Sequence, residues 1–377
     1  MSRILIIGGG VIGLSIAREF HKKGFFERIT ILEKGSIGQE ASNAAAGMLA
    51  PQAETDRADL FFNFCNESSK LYPNLSEELL DETGIDIEFD QSGTLYITFN
   101  EKDVEEIRKR YEWEKKAGLE VEHLSARETH KLEPFVSPDS LESLFFPNDW
   151  QVENRKLLKA LRKYAELNNI EIIEQTEVTN LITENGKIKG VETSKHQKYF
   201  ADTVILATGA WTSLIKHGES VLQIPKVKPI RGQMLSFQTA KRLFTRVIYS
   251  PRGYIVPRKF GRILAGATVE DVGFENKNTE SGIEFVRRNA IEISPSLANL
   301  PLDDKWSGLR PFAADGLPIL GEIPDVENLF VATAHYRNGI LLAPLTAKVL
   351  AEKIADGKDS EFLNEFGAKR FNLANAV

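Results

Sequence analysis

The chain has 377 residues and a formal net charge of −7 at pH 7, with 42% hydrophobic and 27% charged residues. This composition is that of an ordinary globular protein, the length favours two domains, and the acidic balance argues against nucleic-acid binding. A single cysteine, Cys65, excludes an intrachain disulfide and a metal site made of several cysteines; with no apolar run long enough to span a bilayer, we expect a cytoplasmic protein.

The first predicted elements are a strand at 4–7, a glycine turn at 8–13, a helix at about 14–23 and a strand at 29–32. In the turn, Gly8 permits a tight bend, Gly10 lets the backbone approach a pyrophosphate, and Gly13 lets the helix pack against the strand. Free N–H groups at the start of the helix attract phosphates. Glu33 follows Gly13 by 20 residues, where a carboxylate accepts hydrogen bonds from a ribose hydroxyl. The pattern predicts a bound dinucleotide.

A stretch of small residues, A-S-N-A-A-A-G-M-L at 41–49, follows and has two interpretations. It forms a helix packed on the sheet, or it lies flat against a large planar ring. The next block, 85–150, has a predicted strand at 94–98, a charged helix, a capped short helix beginning at Ser125 and an edge strand at 144–146. Because this block has no glycine fingerprint, we interpret it as part of a second, inserted domain.

Two further strand-to-loop junctions follow in the second half of the chain. A buried strand ends in T-G-A-W at 208–211, which is either a close approach of backbone to a ligand or a routine turn. Predicted antiparallel strands at 227–237, 254–257 and 262–267 suit one wall of a substrate site. A strand at 329–332 then leads into a long apolar helix that begins near Asn338, which again places a helix N-terminus after a strand.

Several of these segments together resemble the D-amino acid oxidase superfamily of FAD-dependent oxidoreductases. They are G-G-G-V-I-G at 8–13 with Glu33, A-A-A-G-M-L at 44–49, A-T-G-A-W at 207–211, G-L-R-P at 308–311 and H-Y-R-N-G-I-L-L-A-P at 335–344. The resemblance spans nearly the whole chain and is weakest over 85–150. It implies an α/β fold, with a Rossmann-like FAD-binding domain and an α+β substrate domain whose sheet is mostly antiparallel.

We expect both domains to be discontinuous in sequence. The FAD-binding domain takes residues 1–84, 151–225 and 302–377. The substrate-binding domain takes residues 85–150 and 226–301.

The resemblance implies FAD rather than NAD, a choice that the glycine turn alone leaves open. Sarcosine oxidases of the superfamily tether the flavin through a cysteine in the C-terminal half; this chain has none there, so we expect non-covalent FAD. The family often has a hydroxyl residue at both 41 and 42, whereas here the first is alanine, which carries no hydroxyl. The cofactor-binding positions implied are Gly8, Gly10, Val11, Ile12, Gly13, Glu33, Lys34, Ala41, Ser42, Ala46, Gly47, Met48, Val178, Gly209, His335, Tyr336, Arg337, Asn338, Gly339, Ile340 and Leu341.

The resemblance also implies three substrate-binding side chains, Tyr254, Arg310 and Arg337. Arg310 would hold the α-carboxylate in a planar, bidentate grip, and Tyr254 would add a hydroxyl to the same carboxylate. The alternative for each arginine is an ordinary surface ion pair. We assign His335 a backbone role beside the flavin, because hydride transfer to a flavin needs no strong base. No side chain is therefore predicted to act as a catalytic acid or base, and no metal site is predicted.

Within the superfamily the chain resembles the glycine-oxidising branch, which implies oxidation of glycine, sarcosine and small D-amino acids. Oxygen would be the electron acceptor and hydrogen peroxide a product. The oxidised amino acid would supply thiazole synthesis for thiamine, and the enzyme would be a homotetramer. Three alternatives stay open at this point. They are a D-amino acid dehydrogenase that passes electrons to a membrane quinone, a flavin-binding subunit without its own substrate, and an NAD-dependent dehydrogenase, which the later cofactor segments disfavour.

Overall fold

The computed structural model of the chain describes residues 2–217, 220–221 and 226–371. The predicted FAD-binding segments therefore include positions outside the described residues, namely residue 1, 218–219, 222–225 and 372–377. The helices are α1 Val11–Lys23, α2 Ala41–Ala44, α3 Pro51–Glu54, α4 Leu60–Ser69, α5 Tyr72–Thr83, α6 Glu101–Lys116, α7 Ala126–Leu132, α8 Asn154–Leu167, α9 Glu280–Ile293, α10 Gly339–Asp356 and α11 Glu361–Glu365.

Within the residues just given, the strands form four sheets. They are β1 Arg3–Ile7, β2 Arg28–Leu32, β3 Met48–Leu49, β4 Thr94–Ile97, β5 Glu122–Leu124, β6 Ser143–Phe146, β7 Trp150–Gln151, β8 Glu171–Ile173, β9 Val178–Glu184, β10 Lys187–Thr193, β11 Lys198–Phe200, β12 Thr203–Leu206, β13 Lys216–His217, β14 Ser220–Val221, β15 Val227–Gln238, β16 Val247–Ser250, β17 Gly253–Pro257, β18 Arg262–Gly266, β19 Leu302–Ala313, β20 Ile319–Glu322 and β21 Leu329–Thr333.

The N-terminal strand β1 lies inside a six-stranded sheet of order β20-β21-β12-β1-β2-β8. All pairs in this sheet are parallel except β20 with β21. Ile6 of β1 lies beside Ile205 on one side and Ile31 on the other, and all three are buried. Such continuous apolar runs are typical of parallel strands that helices cover on both faces. The carboxyl ends of these strands meet at one edge, which is where an open α/β sheet binds its ligand.

A second sheet of eight strands has the order β19-β15-β18-β17-β16-β4-β6-β5. Only β16 with β4 pairs in parallel, so the prediction of a mostly antiparallel substrate sheet is confirmed. The longest pairing joins β15 to β19, from Val227 opposite Ala313 to Phe237 opposite Leu302. Strand β19 thus belongs to this sheet, although the predicted division places 302–377 in the FAD-binding domain. The domain boundaries themselves stay a prediction.

Several local predictions can be compared with these elements. The helix predicted from Ser125 is confirmed, because Ser125 and Glu128 form a reciprocal capping box at the start of α7. The edge-strand prediction for 144–146 is wrong, because β6 has β4 on one side and β5 on the other. In the small-residue stretch 41–49, only 41–44 is helical, as α2, and the chain then becomes extended and enters β3. Its contact with a planar ring stays a prediction.

The remaining sheets are smaller. One has the order β11-β10-β9-β13-β14, and the other is the pair β3 with β7. Cys65 is fully buried in α4 and contributes to the apolar core between the first sheet and its helices. None of the helices in the described part of the chain combines the length and the apolarity that a bilayer crossing requires.

Candidate active site

One cavity of about 570 Å³ lies between the carboxyl ends of the parallel strands and one face of the eight-stranded sheet. It brings together segments that are more than 300 residues apart in sequence. Every predicted cofactor or substrate position lines it except Gly13, which is packed behind the glycine turn, and Leu341, which is buried in the core of α10. The roles of these residues stay predictions.

The glycine turn after β1 is tight on all sides. Gly8 has φ = +108°, and a Cβ on it would come within 2.4 Å of the carbonyl oxygen of Ala207, the residue directly after β12. A Cβ on Gly13 would come within 2.0 Å of the carbonyl oxygen of Gly8. The Ser42 hydroxyl accepts a hydrogen bond from the Val11 N–H at 3.0 Å. The turn therefore presents backbone to the cavity, and any side chain on Gly8 or Gly13 would push α1 away from the sheet.

Glu33 at the end of β2 is only 7% exposed and lines the cavity. Its carboxylate accepts hydrogen bonds from the Gly9 N–H at 2.7 Å and from the Gly35 N–H at 2.9 Å. The same carboxylate that we expect to hold a ribose hydroxyl thus also ties the glycine turn to the loop after β2. A carboxylate offers about four lone-pair sites, so both functions are compatible.

The loop beyond Glu33 carries a cation over an aromatic ring at the cavity wall. The Lys34 ammonium lies 3.2 Å from the centre of the Trp211 ring and pairs with Glu40 at 2.9 Å. Such a cation–π contact is attractive because the ring face is electron-rich. Val178 and its neighbour Thr176 line the same end of the cavity.

The last part of the cofactor lining is the loop between β21 and α10. Ala334 and Tyr336 have positive φ, at +58° and +47°, so the loop is strained around His335. His335 is buried, its Nε2 lies 3.1 Å from the Thr346 hydroxyl, and burial lowers its pKa to about 3. The imidazole is therefore neutral at physiological pH. The loop ends at Gly339, where the first N–H groups of α10 face the cavity.

On the opposite wall, Arg310 lies flat across the eight-stranded sheet. A Cβ on Gly232 of the neighbouring β15 would come within 2.3 Å of the guanidinium, so only glycine leaves room for it. The guanidinium donates to the Thr268 carbonyl at 3.1 Å and, among the described residues, forms no ion pair. It therefore has donors and a full charge available to an anion in the cavity.

Tyr254 on β17 occupies the same wall and is 9% exposed. A Cβ on Gly266 of the neighbouring β18 would come within 2.5 Å of the tyrosine oxygen. Burial raises the pKa of Tyr254, while the charge of Arg310 acts in the opposite direction. The phenol is thus protonated at neutral pH and can donate a hydrogen bond beside Arg310.

Arg337 lines the cavity mouth and is already paired. Its Nη2 donates to the Glu54 carboxylate at 2.9 Å and to the Tyr249 hydroxyl at 3.0 Å. The Glu54 charge raises the pKa of Arg337. Glu54 itself sits on the four-residue helix α3, whose first amides donate to the buried Asp149 carboxylate. Among the described residues Arg337 therefore has an ion-pair partner and Arg310 has none, while the substrate-binding roles of both stay predictions.

The family model of FAD-dependent oxidoreductases called DAO matches residues 3–353. The chain belongs to the DAO family. It is therefore an FAD-dependent oxidoreductase, as the sequence resemblance implied.

Individual DAO family relatives cover the chain almost completely. It is 33% identical to glycine oxidase from Bacillus licheniformis, over 97% of this chain and 96% of the relative. It is 36% identical to the bifunctional protein ThiO/ThiG of Trichormus variabilis, over 98% of this chain and 55% of that longer protein. The crystal structure of glycine oxidase from Geobacillus kaustophilus superposes with a TM-score of 0.92 at 31% identity, covering 98% of this chain and 99% of that one.

The cavity fits the cofactor of the DAO family. Two helix N-termini and a glycine turn supply backbone N–H groups, and a Cβ on Gly10 would come within 3.1 Å of the Ser42 hydroxyl in the cradle. Ala46 and Gly47 leave a flat wall, because their side chains project little into the cavity. The cavity then continues without interruption to Arg310. FAD would be held at the turn, with its ring between this wall and the eight-stranded sheet.

Sequence reasoning missed several lining residues of this DAO family site. Glu54 and Tyr249 were not predicted, and strand β16, which carries Tyr249, was not predicted either. Gly232 and Gly266 were also missed, although a glycine inside a strand signals a close approach of other atoms. That signal was present in the sequence at both positions, whereas nothing in the sequence around Glu54 indicates that it meets Arg337.

Proposed function

We propose that this enzyme catalyses the FAD-dependent oxidative deamination of glycine, sarcosine and small D-amino acids. The observation that supports the proposal most strongly is the Arg310 guanidinium, which forms no ion pair with any described residue and lies beside the Tyr254 hydroxyl on the wall opposite the cofactor cradle. A planar guanidinium and a phenol are a fitting pair of donors for one α-carboxylate. The glycine oxidase relatives support the same substrate class.

In this proposal the residues of the chain bind and orient the substrate. Arg310 and Tyr254 fix the carboxylate, which directs the Cα–H bond of the amino acid across the cavity towards Ala46 and Gly47. FAD, when bound, supplies the acceptor for the hydride and returns the electrons to oxygen as hydrogen peroxide. The amine must be neutral when the hydride leaves, so that its lone pair forms the imine. Water then hydrolyses the imine to the 2-oxo acid and ammonia, or to the 2-oxo acid and methylamine when the substrate is sarcosine.

The chain also restricts the size of the substrate. Met48, Tyr249 and Tyr254 line the substrate end of the cavity, and the two tyrosine rings stack with centroids 6.3 Å apart. The Glu54–Arg337 ion pair closes the same end. These side chains leave the region beyond Cα narrow, which favours amino acids with a hydrogen or a methyl group there.

Anaerobic titration of the purified holoenzyme tests the proposal. Glycine, sarcosine and D-alanine should each bleach the flavin absorbance, whereas L-alanine should not, because with its carboxylate and amine in the positions taken by those of D-alanine its methyl group would face the flavin. Admitting air should restore the absorbance with one peroxide per substrate oxidised. No bleaching by any of the three amines would contradict the substrate assignment. Bleaching without peroxide on reoxidation would favour the dehydrogenase instead.

Further parts of the proposal have separate tests. We propose non-covalent FAD, and the buried position of Cys65 away from the cavity supports it; denaturation should release all FAD into the supernatant. A cytoplasmic location, a homotetramer and a supply of product to thiazole synthesis for thiamine rest on the resemblance to the glycine-oxidising branch. Light scattering of the eluted protein tests the assembly. Deletion of the encoding sequence in its host should produce a thiamine requirement.

A further inference from the structure

The guanidinium of Arg258 is buried directly after β17 and lies outside the site described so far. The residue is 6% exposed. Its Nη2 donates to the Ala46 carbonyl at 2.5 Å and its Nη1 donates to the Gln151 side-chain oxygen at 2.7 Å. Its Nε is buried without a hydrogen-bond partner among the described residues. A buried cation with only neutral partners is costly to fold, so a physical reason for its presence is required.

Three carboxylates, those of Glu153, Glu88 and Asp90, lie near Arg258 without pairing with it directly, and the Glu153 charge acts on it most strongly. Glu153 accepts a hydrogen bond from the Lys156 backbone N–H at the start of α8. Glu88 pairs with Lys156 at 2.6 Å, and Asp90 pairs with Arg242 at 2.7 Å. Arg258 has no carboxylate within ion-pair distance in the described part of the chain. Among the described residues its positive charge therefore has no direct counter-ion, and the three carboxylates attract it only from a greater distance.

The Gln151 side chain lies between the Arg258 guanidinium and the Asp90 carboxylate. Its side-chain oxygen accepts from Arg258, while its amide nitrogen donates to Asp90 at 3.4 Å. A glutamate at this position would place a carboxylate on Arg258, whereas the neutral amide does not. Burial lowers the pKa of Arg258 to about 10, so the guanidinium still keeps its proton at neutral pH.

The Arg258 guanidinium lies close to the wall of the proposed cofactor site. A Cβ on Gly47 would come within 2.9 Å of Arg258 Nη2, so the guanidinium lies directly behind the Gly47 backbone. Ala46, Gly47 and Met48 line the cavity on the other side of that backbone. The charge is therefore one layer of main chain away from the wall where the proposed function places the flavin ring.

We infer that Arg258 is an electrostatic positioning residue that raises the reduction potential of the bound FAD. This inference rests on the proposed placement of the ring beside Ala46 and Gly47. When the cofactor takes up the two electrons and one proton of a substrate C–H bond, it becomes more negative by one charge at neutral pH. A fixed cation in a dry interior favours that change, because little solvent is present to screen the interaction.

Two variants remove the uncompensated charge in different ways. Arg258→Met removes the cation, and Gln151→Glu keeps an acceptor for Arg258 but adds a neutralising charge, while Arg242 continues to pair with Asp90. In each, the reduction equilibrium of bound FAD should shift about tenfold towards the oxidised form. That shift is a potential about 30 mV lower for a two-electron couple. Dye equilibration under nitrogen measures the potential, and the dissociation constant of sulfite, an anion that adds to oxidised flavins, should rise in parallel.

Matched controls distinguish a charge effect from a loss of structure. Arg258→Lys keeps the charge and should stay within about threefold of the parent equilibrium. Arg246→Met removes a mostly buried cation that Glu133 pairs at 3.0 Å, and should leave the potential unchanged even if the melting temperature falls. If Arg258→Met does not fold, Gln151→Glu decides the question alone.

The inference is overturned if Arg258→Met and Gln151→Glu both bind FAD and the reduction equilibrium of the bound FAD stays within twofold of the parent in each. It is also overturned if Arg258→Lys shifts the potential as far as Arg258→Met does. These outcomes are distinct from failure of the proposed function. A parent enzyme that glycine does not bleach contradicts the substrate assignment, whatever the dye-measured potentials of the variants show.

Discussion

On the cofactor side of the cavity the lining is mainly backbone, and on the substrate side it is mainly side chain. Gly8 and Gly13 bring main chain to the place where phosphates would bind, and a side chain on either would collide with carbonyl oxygens. On the substrate wall the glycines have another role: Gly232 and Gly266 make room for the side chains of Arg310 and Tyr254. The same residue type thus exposes backbone on one side and accommodates long side chains on the other.

This difference predicts which property a substitution in each region should change. A side chain added on the cofactor side should reduce folding and FAD binding together, because the turn joins β1 to α1. A change on the substrate wall should leave FAD bound and alter the Michaelis constant for the amino acid. Measuring FAD content and kinetics on the same variants therefore separates the two regions.

The largest effect is expected at Gly13. Gly13→Ala would place a methyl group 2.0 Å from the Gly8 carbonyl and force α1 off the sheet, at a cost of about 3 kcal/mol or more. We expect an aggregated or FAD-free protein, measured by flavin absorbance per chain and thermal unfolding. Gly35→Ala is the matched control, because its Cβ would meet only Glu33 at 3.7 Å. A stable, fully loaded Gly13→Ala variant would show that the close packing is not required.

Next in size is loss of the guanidinium on the substrate wall. Arg310→Ala should weaken glycine binding by about 3 kcal/mol, roughly a 100-fold higher KM, because a bidentate charge-assisted contact is lost. FAD content should match the parent. Arg310→Lys should fall between the two, since it keeps the charge but not the planar fork. Steady-state kinetics with glycine checks this, and an unchanged KM would remove Arg310 from the carboxylate site.

A smaller effect is expected from the glycine beneath that guanidinium. Gly232→Ala puts a methyl group 2.3 Å from the Nη atoms of Arg310 in its present position, so the arginine side chain must shift away from the sheet. We expect KM for glycine to rise about tenfold, equal to about 1.4 kcal/mol, with FAD still bound. Ile230→Val on the same strand is the control and should change KM little. Equal kinetics for Gly232→Ala and the parent would mean that Arg310 reaches the substrate from another position.

The smallest effect is expected at the mouth of the cavity. Glu54→Gln removes the charge that pairs with Arg337, but the arginine side chain is 32% exposed and solvent screens the interaction. We expect less than a fivefold change in KM for glycine and no loss of FAD. Glu67→Gln, in an exposed ion pair with Lys70, is the control. A change as large as that of Arg310→Ala would place Arg337 in direct contact with the substrate carboxylate.

The sequence predicts the cofactor side of the cavity better than the substrate side, for a physical reason. The glycine turn, α1, β2 and Glu33 are contiguous, so spacing along the chain alone places them relative to each other. The identity of the cofactor and the substrate residues needed resemblance to a family. The edge-strand error at 144–146 arose because the partner strand β5 is short and polar, with a pattern too weak to predict.

By itself, the sequence determined the local elements: the dinucleotide turn, the capped α7 and the long helix α10. Only the tertiary structure decided which side chains meet across the cavity. It decided that Arg337 pairs with Glu54, that Arg310 has no ion-pair partner in the described part of the chain, and that Arg258 keeps a buried charge behind Gly47. The physical reason is distance along the chain, because hydrogen bonding and hydrophobic periodicity within one element carry no information about contacts between residues hundreds of positions apart.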